Sequence, residues 1–115
     1  AADFGGARAK TMLADSAGQS VIEEAASIAS EVRHDGLRAA SELLHVADTR
    51  GIAGGMAMPV LVITGERDRI VPPAKSAEMA DLIPGCRRVQ LKEVGHAAYL
   101  EDTRSYNATL NDFLT

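Results

Sequence analysis

The sequence predicts an α/β fold, with parallel strands and flanking helices following a helical first half. Three observations carry this. Val60-Leu61-Val62-Ile63 is a continuous apolar run, the pattern of a parallel strand covered on both faces. Arg88-Val89-Gln90-Leu91-Lys92 alternates instead and reads as a half-exposed second strand. Between them, Pro72-Pro73 opens a helix and Pro84-Gly85 stops it. A strand–helix–strand crossover is right-handed and leaves its two strands parallel when they share a sheet.

Taken in order, residues 1–19 are small and polar, contain Gly5-Gly6 and Gly18, and show no clear period. Ser20 with Glu23 forms the pattern of a capping box. Val21, Ala25, Ile28, Ala29 and Val32 then recur at helical spacing. Asp35 is expected to cap a second helix with Leu37, Ala40, Leu44 and Ala47 along one face. Asp48-Thr49-Arg50-Gly51 closes it, with Gly51 expected in the left-handed position past its end. Gly54-Gly55 leads to Pro59, which can stand first in a strand. The helix after Pro72-Pro73 runs through Met79, Ala80, Leu82 and Ile83, and the last carries Tyr106, Leu110, Phe113 and Leu114 on one face. The chain thus divides into a helical part, 1–57, and a strand–helix–strand–helix part, 58–115.

Composition narrows the function classes. At 115 residues and 46% hydrophobic, the chain suits one modest domain rather than a disordered segment. Its aromatics are Phe4, Tyr99, Tyr106 and Phe113 alone, so a core of alanine and leucine is thin, which hints at a packing partner outside these residues. Twelve Lys and Arg against 16 Asp and Glu, with no basic stripe, argue against nucleic acid. A single cysteine, Cys86, excludes an internal disulfide framework and suits a reducing compartment. No run approaches membrane-spanning length and the first residues lack a signal-peptide pattern, so the expected setting is cytoplasmic, without a membrane partner.

Two residues carry chemistry. Asp68 lies just past the first strand, after Gly65, and His96 follows Gly95 just past the second. Neighbouring parallel strands bring both to one edge, where open α/β sheets place their working residues. A carboxylate beside an imidazole fixes the ring's tautomer and stabilises its cation, while the other ring nitrogen activates a nucleophile.

Other candidates read as structure. Ser16, in Ala14-Asp15-Ser16-Ala17-Gly18, lies close to Asp68 in sequence and follows Thr11-Met12-Leu13, a poor buried strand, so a turn or cap serine is preferred over a nucleophile. His34 is assigned to a helix C-terminus and His45 to a helix surface, with a pocket-lining role the lesser alternative for each. Gly5 to Thr11 is no phosphate loop, because Phe4 and Ala9 hold the required glycine positions. No cluster has metal-ligand spacing, Cys86 reads as a small packing residue, and Glu66, Arg67 and Arg69 read as a solvated rim. Tyr99 and Leu100 either pack the final helix or border a pocket.

Met58 to Asp68, Val71-Pro72-Pro73, Leu82-Ile83-Pro84-Gly85, Gly95-His96 and Leu100-Glu101, in that order, resemble the C-terminal end of the α/β-hydrolase superfamily. The resemblance covers residues 58–114. It implies Asp68 as triad acid and His96 as triad base, with residues 20–50 as the end of a helical lid and 1–57 as lid-like segment and linker. The family's G-x-S-x-G elbow, earlier strands and oxyanion loop are not found in these residues, so the resemblance implies the C-terminal portion of a larger enzyme. The implied reaction is cofactor-independent hydrolysis of an ester, lactone, thioester or activated C–C bond. Its implied partners are a small-molecule substrate and either the missing N-terminal part or another copy of the chain. The rival reading is a non-catalytic, self-associating or partner-binding module.

Overall fold

The computed structural model describes residues 2–115, with side chains from Phe4 onward. Its elements are α1 (Ala2–Met12), α2 (Gln19–Ser30), α3 (His34–Val46), α4 (Arg50–Ala53), β1 (Leu61–Gly65), α5 (Pro73–Leu82), β2 (Arg87–Leu91), α6 (Ala98–Glu101) and α7 (Thr103–Leu114). β1 and β2 pair in parallel, with Leu61 opposite Arg87 and Gly65 opposite Leu91. Among the described residues they form a two-stranded sheet. The crossover helix α5 has Pro73 in its first turn, where a missing N–H is harmless. The turn into β2 uses Gly85 at φ 68°, a left-handed conformation that glycine adopts without strain.

Both strands are displaced slightly from their expected ends. β1 begins at Leu61 rather than at Pro59, although the Val60 carbonyl still accepts a hydrogen bond from Arg87 N at 2.9 Å. Leu61, Val62 and Ile63 are half-buried rather than fully covered. Only β2 flanks β1 among the described residues, so its other edge lacks the neighbour that a continuous apolar run anticipates. The inner faces of Ile63 and Val89 pack on Leu91, Val94, Ala98 and Tyr106, forming one small core.

A second core lies where no period was legible. Ala9 and Leu13 on or beside α1 are fully or almost fully buried, and they cluster with Ala25 of α2 and Ala97. Gly5 explains the tight fit, since a Cβ there would come within 2.3 Å of the Ala26 carbonyl oxygen. Small residues bring the two helices together, and smallness leaves little trace in a hydrophobic pattern.

The helix starts also differ from expectation. α2 begins at Gln19 with Gly18 as its cap, and the Gly18 carbonyl accepts from Val21 N and Ile22 N. The expected capping box therefore does not form, and the Glu23 carboxylate accepts from Gln19 Nε2 at 2.8 Å. α3 begins at His34, not after it, with Asp35 inside its first turn. The carboxylate still favours the positive end of the helix, but His34 is not at a helix C-terminus; His45 occupies that place in the last turn. Ala47 in extended conformation ends α3, while Gly51 lies within α4 and not in a left-handed turn. Asp48 accepts from the Arg50 backbone and guanidinium, which hold its carboxyl down to about 2, the side-chain bond contributing most.

α3 itself buries nothing. Leu43, Leu44 and Val46 stand 66%, 75% and 76% exposed, an apolar face without cover among the described residues. At the other end of the chain, Asp102 caps α7 by accepting from Ser105 N at 3.0 Å.

Candidate active site

Asp68 is placed by its own turn. Leaving β1, the chain donates Glu66 N to the Leu91 carbonyl and Arg67 N to the Val94 carbonyl, both at 2.8 Å. Gly65 passes so close to the neighbouring loop that a Cβ would sit 2.0 Å from the Gly95 oxygen. One Asp68 oxygen, Oδ1, accepts from Ile70 N at 2.9 Å and from Val71 N at 2.8 Å. The other, Oδ2, faces His96 Nδ1 at 2.9 Å. The carboxylate is 8% exposed and its acceptor capacity is well used.

His96 is placed from further away. After β2 the chain turns through Glu93 at φ 60° and the buried Val94 to Gly95. A Cβ on Gly95 would meet the Met12 oxygen at 2.6 Å and Ala14 N at 2.7 Å, so the end of α1 lies directly against this loop. His96 N donates to that Met12 oxygen at 2.6 Å. Glu101 accepts Gly95 N on Oε2 at 2.9 Å and Ala14 N on Oε1 at 2.7 Å. Opposite a carboxylate, which accepts when ionised, Nδ1 is the donor of a neutral ring, and in that tautomer Nε2 carries the free lone pair. At one third exposed, the His96 side chain stays open to a reactant. Together these groups can take a proton at Nε2 and return it.

A charged cavity of about 470 Å³ adjoins Asp68 and is lined in part by Asp15, Ser16, Glu66 and Arg69. Arg67 pairs with Glu93 at 2.8 Å, and Arg69 pairs with Asp15. Glu93 N donates to the Glu66 carboxylate and is the main cause holding that group below its ordinary range. Of the expected rim residues, Arg67 and Arg69 are thus ion-paired, while Glu66 holds the Glu93 backbone. Ser16 reaches this cavity, but its hydroxyl donates to the Glu93 carbonyl at 3.2 Å and is not paired with His96. His45 lines a separate hollow between the end of α3 and α5, and His34 is exposed at the start of α3. Tyr99 does two things, meeting Tyr106 of α7 edge-on at 6.2 Å and lining an apolar cavity of about 250 Å³ with Phe4, Met12 and Leu37. Leu100 packs on the Leu13 core.

Among the described residues no group of three or more His, Cys, Asp or Glu side chains could hold a metal ion. None of their helices is long and apolar enough to cross a membrane. Sequence reasoning assigned no role to Glu101 or to the Met12–Ala14 backbone. The available signal was Leu100-Glu101 following Gly95-His96 in the family resemblance, which puts a carboxylate five residues after His96.

A parallel sheet of this connectivity, with its flanking helices, is the C-terminal portion of an α/β-hydrolase fold. The chain belongs to the family described as TAP-like protein, which matches residues 39–115. It is 35% identical over 80 residues to a pimeloyl-[acyl-carrier protein] methyl ester esterase of Stenotrophomonas maltophilia, covering 70% of this chain and 29% of that protein. It is 30% identical to the enol-lactonase from Burkholderia xenovorans LB400, with a TM-score of 0.77, covering 83% of this chain and 36% of the lactonase. A thermophilic esterase from Thermogutta terrifontis superposes with a TM-score of 0.87 over 97% of this chain and 43% of its own, and at 22% identity it shows the fold alone. The chain spans less than half the length of these relatives.

Proposed function

We propose that these residues supply the acid and base of a hydrolytic triad, Asp68 orienting His96, in an α/β-hydrolase that needs no cofactor. The observation that carries this is the 2.9 Å contact between Asp68 Oδ2 and His96 Nδ1, with Oδ1 tied by two backbone N–H groups. His96 Nε2 takes the proton of a nucleophile supplied by the part of the fold that these residues do not span. It then gives that proton to the leaving group, while Asp68 stabilises the imidazolium. The substrate class is an ester, lactone, thioester or activated C–C bond. Two relatives favour the first two, being named a methyl ester esterase and an enol-lactonase. Residues 1–57 serve as lid-like segment and linker in this reading, with 58–115 as core, in a cytoplasmic protein.

The test is turnover of short p-nitrophenyl esters by the intact protein. His96→Ala is expected to abolish it, with a loss on the order of a millionfold in kcat. Retention within about tenfold, below the roughly hundredfold or more that general acid–base catalysis contributes, overturns the assignment. The 115-residue chain alone should show no turnover above its own His96→Ala control, and an acyl-enzyme burst that Ser16→Ala removes would restore Ser16 as nucleophile.

One observation favours the second reading, an associating module. β1 has an unpaired edge among the described residues, and α3 leaves Leu43 and Leu44 bare. For the 115-residue chain we expect a dimer or larger assembly by light scattering across a dilution series. A compact monomer with a concentration-independent unfolding midpoint counts against it.

A further inference from the structure

The carboxylate of Glu101 joins two stretches of chain far apart in sequence. Oε1 accepts from Ala14 N across 87 positions, and Oε2 accepts from Gly95 N. Those stretches are already pressed together, because His96 N donates to the Met12 oxygen and Gly95 has no room for a side chain. Without Glu101, the N–H groups of Ala14 and Gly95 would lose acceptors in a part-buried seam. Leaving such donors unpaired is unfavourable, and the loop would be driven to open toward water. Glu101 is itself carried on α6, whose neighbours Ala97 and Leu100 pack on Leu13, so the carboxylate rests on a fixed base.

We infer that Glu101 is a positioning residue for His96, clasping the end of α1 to the Gly95-His96 loop so that the imidazole meets Asp68 in one orientation. Asp68 sets the rotation of the ring, and Glu101 sets the backbone from which the ring projects. It touches no reacting atom. The inference rests on His96 being the base of the proposed reaction, but its structural half can be read without turnover.

The experiment uses the intact protein with Glu101→Gln, which keeps shape and one oxygen but turns an amide N–H₂ toward one of the two donors. Gly95→Ala is the second variant; it forces the same seam apart from the opposite side without altering charge. Two measurements are made on each: kcat and KM for a short ester, and the NMR signal of the His96 Nδ1 proton. A small displacement of a catalytic group can cost up to about a hundredfold, so kcat should fall about 10–100-fold with KM within about twofold. The Nδ1 proton signal should broaden as the Asp68 contact opens to solvent. A variant that folds and keeps a sharp Nδ1 proton signal overturns the inference, whether or not its melting temperature has dropped. If His96→Ala leaves turnover intact, the triad reading fails instead, and the proton signal still decides whether Glu101 orders the ring.

Discussion

The two halves of the Asp68–His96 pair are held by different means. Asp68 is bound within its own turn, to Ile70 and Val71, by residues two and three positions on. His96 is held through Met12 and, by way of Glu101, through Ala14, more than eighty positions away. A group held locally keeps its geometry whenever its turn forms. A group held by distant chain keeps it only when the whole tertiary structure is closed. The acid should therefore tolerate distant damage that the histidine does not.

The strongest way to test the acid's half is Asp68→Asn in the intact protein. The asparagine oxygen can still accept from Ile70 N and Val71 N, so the turn and the melting temperature should be largely kept. Its amide then faces Nδ1 and favours the wrong tautomer, and kcat should fall about ten-thousandfold. A loss below about tenfold would mean that Asp68 only shapes its turn.

Gly65→Ala strikes both halves at once, because the new Cβ would sit 2.0 Å from the Gly95 oxygen and 2.5 Å from the Val94 oxygen. We expect a loss of about 3 kcal/mol or more in denaturant unfolding, in the range reserved for steric strain and overpacking. Leu13→Ala tests the remote support alone. Leu13 is 2% exposed, and its removal should destabilise by about 2–4 kcal/mol while leaving the Asp68 turn formed. Amide exchange should then rise at His96 before it rises at Ile70 and Val71; simultaneous loss would erase the contrast between the two halves.

The smallest effect is a local one beside the remote clasp. Asp102, next to Glu101, caps α7, and its carboxyl is lowered mainly by the hydrogen bond to Ser105. A lowered folded value means stability present above the ordinary carboxylate value and lost as pH falls through the lowered one. Asp102→Ala should therefore lower the melting temperature at neutral pH, and the gap from the parent should close in acid. A gap that persists unchanged at low pH would show that the cap's contribution is independent of its charge.

Much of the acid's setting was readable beforehand. Val60 to Ile63, Gly65 and the paired prolines place Asp68 at a strand end, since each acts on its own few residues through backbone preference. The far side of the clasp was not readable, because no pattern relates Ala14 to Gly95 and Glu101 until the chain has closed. α1 escaped notice for a related reason: Gly5 and Ala9 pack by being small, which neither helix propensity nor apolar spacing records. Ser20 and Asp35 are good caps in isolation, yet each helix begins two residues earlier than they predict, with Gly18 and Arg33 at the cap positions.

What the sequence by itself determined is the crossover from β1 through α5 to β2, and with it the shared edge on which Asp68 and His96 lie. Handedness and strand polarity follow from local backbone chemistry, so no distant contact was needed to read them. The tertiary structure alone decided how His96 is aimed. Its backbone, its glycine neighbour and the carboxylate that clasps them depend on α1 arriving from the far end of the chain, and only packing brings those atoms to within hydrogen-bonding distance.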